Sequence, residues 1–117
     1  MASIRDLVAA IRQREGVEAA VILGRDGLLI DSQAVEGLEP EDLAARIPPI
    51  VAAANDLGLN SGRGELVTAV LEHASGTALV SNLTRDAVLL VMLAPGAHIG
   101  PLLYELRRSR GQIAALV

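Results

Sequence analysis

The chain contains no cysteine, no lysine, no phenylalanine and no tryptophan, and its one aromatic residue is Tyr104. The absence of cysteine excludes disulfides, thiol chemistry and zinc sites built on thiolates. The absence of lysine excludes a P-loop, whose lysine handles the phosphates. A formal net charge of -4 and a single aromatic also argue against a nucleic-acid surface, which is typically basic and often stacks bases on aromatic rings.

The length of 117 residues predicts a single domain, 1–117, with a core built from Leu, Val, Ile and Ala. The longest apolar run, 87–94, is far shorter than the roughly 20 residues that span a bilayer. The N-terminal residues lack the pattern of a signal peptide. We therefore expect a cytoplasmic protein without membrane insertion.

Apolar periodicity and turn signals predict the order helix, two strands, helix, three strands, helix. The first helix is expected in "SIRDLVAAIRQREG", with Ser3 placed to cap it. The segments "VEAAVILG" and "LLIDS" flank the turn signal "RDG" and are typical of a hairpin. The final helix is expected over "IGPLLYELRRSRGQIAALV".

Three further strands are expected in "ELVTAVLEH", "TALVSNL" and "DAVLLVML". Their connections are too short for parallel crossovers, so most pairs are expected to be antiparallel. "VEAAVILG" and "DAVLLVML" are apolar on both faces, which predicts central strands covered by helices on both sides. "ELVTAVLEH" is typical of an edge strand, with few charges to block pairing.

The middle helical pattern, "EPEDLAARIPPIVAAANDLGLN", contains two consecutive prolines. Each proline inside a regular helix costs about 3 kcal/mol. Nevertheless the apolar stripe of the segment keeps its phase across them. The pattern fits either one kinked helix or two short helices that share a face, with the bend or break between Ala45 and Ile50 and unpaired carbonyls near Leu43 to Ala45.

The stretch "MLAPGAHIGPLLYEL" has the strand, glycine loop and helix of many phosphate sites. Gly96 and Gly100 do not have the spacing of a nucleotide-binding motif, and Pro101 removes a backbone N–H, so we interpret the stretch as a turn. His73 and His98 are 25 residues apart with no carboxylate at ligand spacing, which predicts no metal site. No residues assemble a catalytic set. We therefore expect no enzyme activity and no cofactor.

The element order, together with "VILGRDGLLIDS", "DAVLLVMLAP" and "AHIGPLLYEL", resembles the roadblock/dynein light chain family over nearly the whole chain. The resemblance implies an α+β fold in the order α-β-β-α-β-β-β-α. Its five-stranded antiparallel sheet would carry one helix on one face and two on the other. It also implies a homodimer in which the middle helices pair side by side and the third strands join into one continuous sheet.

The resemblance further implies a platform for a small Ras-like GTPase whose GTP hydrolysis it modulates without contributing a catalytic residue. The middle helix and the third strand supply the expected dimer interface: Leu43, Ile47, Ile50, Val51, Ala54, Val67, Ala69 and Leu71. The expected partner surface is Asp42, Arg46, Asn55 and Arg63. Two alternatives stay open: a scaffold subunit of a signalling assembly, and a small enzyme or ligand-binding module.

Overall fold

The computed structural model describes residues 3–117, which form a five-stranded sheet with helices on both faces. The elements confirm the predicted order, with the middle and last helices each divided into two pieces. They are α1 (Ile4–Arg12), β1 (Val17–Gly24), β2 (Leu29–Ala34), α2 (Pro40–Ala45), α3 (Ile47–Asn60), β3 (Thr68–His73), β4 (Gly76–Asn82), β5 (Ala87–Leu93), α4 (Ile99–Arg108) and α5 (Arg110–Ala114).

The strands lie in the order β2-β1-β5-β4-β3, and every neighbouring pair is antiparallel. The two segments that are apolar on both faces, β1 and β5, therefore lie inside the sheet as predicted. β3 lies at an edge, which confirms the prediction from its sequence. The other edge is β2, which begins and ends later than the "LLIDS" segment suggested.

Each face of the sheet has its own apolar cluster, because successive side chains of a strand point to opposite faces. Ala20 and Ile22 of β1 contribute to a cluster that includes the buried side chains of α1, α4 and α5. Val21 and Leu23 contribute to a cluster with Ala44 of α2 and with the first turns of α3. The middle helices therefore cover one face, and the first and last helices cover the other, as the expected fold requires.

The middle helical segment is broken, as one of the two open interpretations predicted. The break lies at Arg46, one residue before α3, so Pro48 and Pro49 occupy its first turn. The first turn of a helix has no intrahelical acceptors for its N–H groups, so prolines cost little there. The prediction of unpaired carbonyls in this segment is wrong at Leu43, because the Leu43 oxygen accepts the Arg46 N–H at 3.1 Å.

The last helix is also divided, which the sequence interpretation as one helix missed. Ser109 separates α4 from α5, with φ -98° and ψ 9°, outside the α-helical region. Serine and glycine are poor helix formers, so Ser109 and Gly111 weaken this turn. The Arg110 side chain is tied to the sheet by a 2.7 Å hydrogen bond to the Asn82 carbonyl. No helix among residues 3–117 has the length and apolar character needed to cross a membrane.

Candidate interaction surface

The edge strand β3 has backbone groups that no strand of its own chain can satisfy. The Asn82 N–H donates to the Val67 carbonyl at 3.0 Å, and Thr68 lies opposite Ser81. Hydrogen-bonded and non-hydrogen-bonded pairs alternate along an antiparallel ladder. Because Val67 belongs to a hydrogen-bonded pair, Ala69 and Leu71 also form hydrogen bonds with β4. The N–H and C=O groups of Thr68, Val70 and Glu72 consequently point away from the sheet, where another strand can pair with them.

The outer surface of α3 is apolar along one stripe. Ile50, Ala54 and Leu57 follow at intervals of four and three residues, which places them on one side of a helix. Ile50 packs at the margin of the second cluster together with Ala69 and Leu71 of β3. Leu57 is 73% exposed, so the end of the stripe faces solvent in the single chain. The stripe and the edge strand therefore adjoin on the same face of the sheet.

We call this combined area the α3–β3 surface. It carries apolar side chains that are half-buried or exposed in the single chain, and it ends in an open strand edge. Contiguous exposed apolar residues of this kind mark sites of protein interaction. The residues of the α3–β3 surface are Ile50, Ala54, Leu57, Val67, Ala69 and Leu71.

Six of the eight residues expected at a dimer interface are half-buried or exposed: Leu43, Ile50, Ala54, Val67, Ala69 and Leu71. Ile47 and Val51 are different, because only 5% and 6% of their surfaces are accessible. Both side chains face the sheet of their own chain, where they belong to the second cluster. Little of either residue is left for contact with a second molecule.

Leu57 is the apolar residue that the expected interface left out. Its place in the helical stripe was visible in the sequence, but periodicity alone did not show which side of α3 faces solvent. The helix is rich in alanine, and both of its sides carry apolar residues. The buried positions are distinguished only by the direction in which α3 lies across the sheet.

The four residues of the expected partner surface fall into two groups. Asp42 and Arg46 are exposed and form a 3.2 Å ion pair at the junction of α2 and α3. The Asn55 side chain accepts the Leu66 N–H at 2.7 Å, so it holds the segment that leads into β3. Arg63 lies in the preceding loop, exposed, and donates to the Ser61 carbonyl at 2.9 Å.

The loop before β3 is held tightly against the end of α3. The amide groups of Arg63 and Gly64 both donate to the Gly58 carbonyl, at 2.7 and 3.1 Å. A Cβ atom at Gly58 would collide with the Gly64 carbonyl oxygen, so glycine is required at this position. The position of Arg63 is thus fixed by backbone contacts at the rim of the α3–β3 surface.

Nothing in the described part of the chain resembles a metal site, since residues 3–117 contain no group of three potential ligands. A cavity of about 160 Å³ lies beneath α3, lined mainly by apolar residues such as Leu23, Ile47 and Val51. His73 is exposed at the end of β3, and His98 precedes α4 without capping it through its side chain. The interaction surface is therefore the main candidate site on this face.

Comparison with known proteins identifies the same architecture. The chain is 24% identical over 106 residues to an uncharacterised protein of Methanocaldococcus jannaschii, covering 91% of this chain and 92% of the other. A Roadblock/LC7 domain from Streptomyces avermitilis superimposes with a TM-score of 0.85 at 21% identity, covering 97% and 96% of the two chains. MglB of Myxococcus xanthus superimposes with a TM-score of 0.84 at 16% identity, covering 97% and 95%.

A further MglB structure, with a tetrameric arrangement, superimposes with a TM-score of 0.83 at 16% identity and covers 96% of this chain and 85% of its own. At these identities the solved structures establish the fold. The sequence model of one family matches residues 4–93, from the first helix through the last strand. This chain therefore belongs to the Roadblock/LC7 domain family.

Proposed function

We propose that this protein is a homodimeric platform that binds a small Ras-like GTPase and modulates its GTP hydrolysis. The observation that carries the proposal is the α3–β3 surface, an apolar helix stripe beside an open strand edge. Roadblock domains are in general regulatory or scaffold proteins rather than enzymes. Structures of MglB, a protein of the same fold, include a tetrameric arrangement, which is consistent with self-association.

In the proposed dimer, β3 of one chain pairs antiparallel with β3 of its partner. The outward N–H and C=O groups of Thr68, Val70 and Glu72 supply the hydrogen bonds, and a two-fold axis allows the same edge to serve both chains. The two sheets then form one sheet of ten strands. The stripe of α3 lies beside the partner's α3, which covers Leu57.

The GTPase would bind to the polar rim of this assembly. Asp42 and Arg46 at the junction of α2 and α3, and Arg63 in the loop, are charged and exposed beside the apolar stripe. A polar rim around an apolar centre is the usual composition of a protein interface. Asn55 contributes indirectly, by fixing the loop segment next to Arg63.

Titration calorimetry with a Ras-like GTPase from the same genome tests the proposal. The GTPase is loaded with GDP in one series and with a non-hydrolysable GTP analogue in another. We expect saturable binding of the GTPase to the dimer and a preference for one nucleotide state. The variant Arg46→Glu should weaken binding without changing the mass of the dimer.

Arg107→Glu is the matched control, because Arg107 is an exposed arginine on α4, on the opposite face of the sheet. If the GTPases of the genome fail to bind in both nucleotide states while the dimer is intact, the GTPase proposal is wrong. A scaffold role in a signalling assembly would then be favoured.

A further inference from the structure

The start of the edge strand β3 is tied to the last helix of the chain through one buried residue, Asn82. Asn82 is the final residue of β4 and is 4% exposed. Its backbone N–H donates to the Val67 carbonyl at 3.0 Å, and its side-chain amide donates to the Leu66 carbonyl at 2.8 Å. Its own carbonyl accepts from the Arg110 side chain at 2.7 Å. The hydrogen bonds of this one residue therefore connect the segment that leads into β3 with α5.

The Arg110 guanidinium takes the place that a regular β-ladder gives to a backbone N–H. Two residues of a hydrogen-bonded antiparallel pair exchange both of their N–H···O=C bonds. The register of β3 and β4, in which Thr68 lies opposite Ser81, places Val67 opposite Asn82. Within residues 3–117, the Asn82 N–H bonds to Val67, but the Val67 N–H makes no bond to the Asn82 carbonyl, which accepts from Arg110. The guanidinium thus completes the first pair of the strand.

The helix that carries Arg110 is itself weakly held. α5 runs for five residues, from Arg110 to Ala114, and includes Gly111. Isolated helices this short are marginal in water at best. Its buried side chain is Ile113, which borders a cavity of about 80 Å³ between α1 and α4. Segments held by so few buried contacts open locally while the rest of the fold stays intact, so α5 can leave the sheet without unfolding it.

We propose that α5 acts as a strap on the open edge of the sheet: while α5 is docked, Arg110 holds the start of β3 in the position that pairs with a second chain. When α5 detaches, the buried Asn82 carbonyl loses its donor. A buried acceptor without a donor is costly, so the contacts that Asn82 makes to Leu66 and Val67 loosen. The inference rests on the proposed dimer, since it makes Arg110 a positioning residue for the strand through which the two chains pair.

The strap links the two faces of the sheet. Ile113 of α5 belongs to the cluster on the face covered by the first and last helices, whereas Ile50 of the α3–β3 surface packs on the other face. The strength of pairing would then depend on a helix on the face opposite the apolar stripe. Detachment of α5 would weaken the dimer without any change in the side chains of the stripe.

Hydrogen exchange of Arg110→Gln in the single chain tests whether α5 holds the start of β3. The measurement uses the full chain carrying Leu57→Asp, at a dilution where light scattering gives the single-chain mass. We expect the amides of Leu66 and Asn82 to exchange about tenfold faster in Arg110→Gln, because a charge-assisted hydrogen bond is lost. The amide of Val21, in a central strand, should exchange at an unchanged rate.

Two further variants separate positioning from a change of charge. Arg110→Lys keeps a charged N–H donor near the Asn82 carbonyl and should retain most of the protection. Arg107→Gln makes the same charge change as Arg110→Gln on the exposed side of α4 and should have no effect on the amides of β3. Equal effects of Arg107→Gln and Arg110→Gln would overturn the proposal.

Three exchange patterns in Arg110→Gln would also overturn it. Equal acceleration at Val21 would mean that the variant only lowers global stability. Acceleration confined to the Ile113 amide would mean that α5 detaches without consequence for β3. Slower exchange at Val67 would mean that its N–H takes over the Asn82 carbonyl, so that Arg110 competes with the ladder and does not complete it.

Sedimentation equilibrium of the same variants, without the substitution at Leu57, tests the effect on pairing. We expect Arg110→Gln to raise the dissociation constant of the dimer about tenfold, since both chains lose the contact. Faster exchange at Leu66 with an unchanged dissociation constant would show that the strap does not act on pairing. A wild-type chain that stays monomeric would contradict the proposed dimer, whereas the exchange measurement would still decide whether Arg110 holds the start of β3.

Discussion

The two edge strands of the sheet are built differently. β2 carries an irregularity in its register with β1 after Ile22, and its middle residues, Asp31, Ser32 and Gln33, are polar. The outward N–H of Ser32 is already bonded to the Asp31 carboxylate at 2.8 Å. β3 keeps regular register with β4 along its whole length, from Thr68 to His73, and has apolar residues in its centre.

This difference shows which edge is closed and which is open. Bulges and inward or local charges are the devices by which proteins prevent the edges of sheets from pairing with other chains. β2 has both an irregular register and a carboxylate that occupies one of its outward amides, that of Ser32. β3 has neither, and it adjoins the exposed stripe of α3. The sheet is therefore protected on one edge and available for pairing on the other.

The largest expected effect comes from removing an outward amide of β3. Val70→Pro deletes an N–H that β4 does not use, so the chain should fold while the strand edge is blocked. We expect light scattering at micromolar concentration to give about twice the 12.2 kDa chain mass for the wild type and the single-chain mass for this variant. Ser32→Pro, at the equivalent outward position of β2, is the control and should remain a dimer. A dimeric Val70→Pro would show that β3 is not the contact.

Leu57→Asp should weaken the dimer by a smaller amount. Burying a leucine side chain is worth about 1.5–3 kcal/mol. The two-fold dimer buries two of them, which corresponds to about a hundredfold or more in the dissociation constant. Sedimentation equilibrium measures this change. Leu28→Asp is a close control, because Leu28 is 69% exposed in the turn between β1 and β2, compared with 73% for Leu57. Equal weakening by the two variants would argue against a contact through α3.

Ile50→Asp is also expected to disrupt the dimer, because it places an unpaired charge in an apolar contact. Ile50 packs partly against the core of its own chain, so this variant should lower the stability of the chain as well. The thermal unfolding of the two variants, Ile50→Asp and Leu57→Asp, should therefore differ. We expect a lower melting temperature for Ile50→Asp than for Leu57→Asp.

Two side-chain hydrogen bonds hold Leu66, which lies just before β3. The Leu66 N–H donates to the Asn55 side chain, and the Leu66 C=O accepts from the Asn82 side-chain amide. Asn55→Ala removes the first of these and should cost about 1 kcal/mol of stability. We expect a melting temperature about 4 °C lower. Asn60→Ala, which removes an exposed contact on the same helix, should have a much smaller effect. Equal shifts would mean that the Asn55 contact does not hold the strand.

The smallest effect is expected on the chemical step of GTP hydrolysis. An arginine finger contributes about 10³ or more in rate. Arg46 is held in an ion pair with Asp42, and Arg63 bonds to its own loop, so neither is expected to act in this way. Arg46→Ala and Arg63→Ala should change single-turnover hydrolysis at saturating concentrations by well under a thousandfold. A thousandfold loss with intact binding would identify a catalytic arginine.

The sequence predicted the fold well because the relevant signals are local. Apolar residues on both faces marked β1 and β5 as central. The adjacent prolines predicted a bend or a break between Ala45 and Ile50, and the structure has a break at Arg46. The direction in which α3 lies across the sheet depends on packing between distant segments, which local sequence patterns do not show. For that reason Ile47 and Val51, which face the core, could not be distinguished from Leu57, which faces solvent.

The contact between Arg110 and Asn82 was beyond sequence reasoning for a different reason. The two residues are 28 positions apart, at the start of α5 and the end of β4, and the Arg110 side chain donates to the Asn82 carbonyl. No spacing pattern links them, because α5 approaches the end of β4 only in the folded chain.

Hydrogen exchange at the amides of β3 tests the central claim most directly, because it reports on the strand edge itself. The N–H groups of Thr68, Val70 and Glu72 have no partner strand within one chain, whereas those of Ala69 and Leu71 bond to β4. If β3 pairs with β3 of a second chain, all five amides should exchange slowly at micromolar concentration, and the three outward ones should become fast in Leu57→Asp upon dilution. Fast exchange at Thr68, Val70 and Glu72 in the concentrated wild type, beside slow exchange at Ala69 and Leu71, would contradict the account.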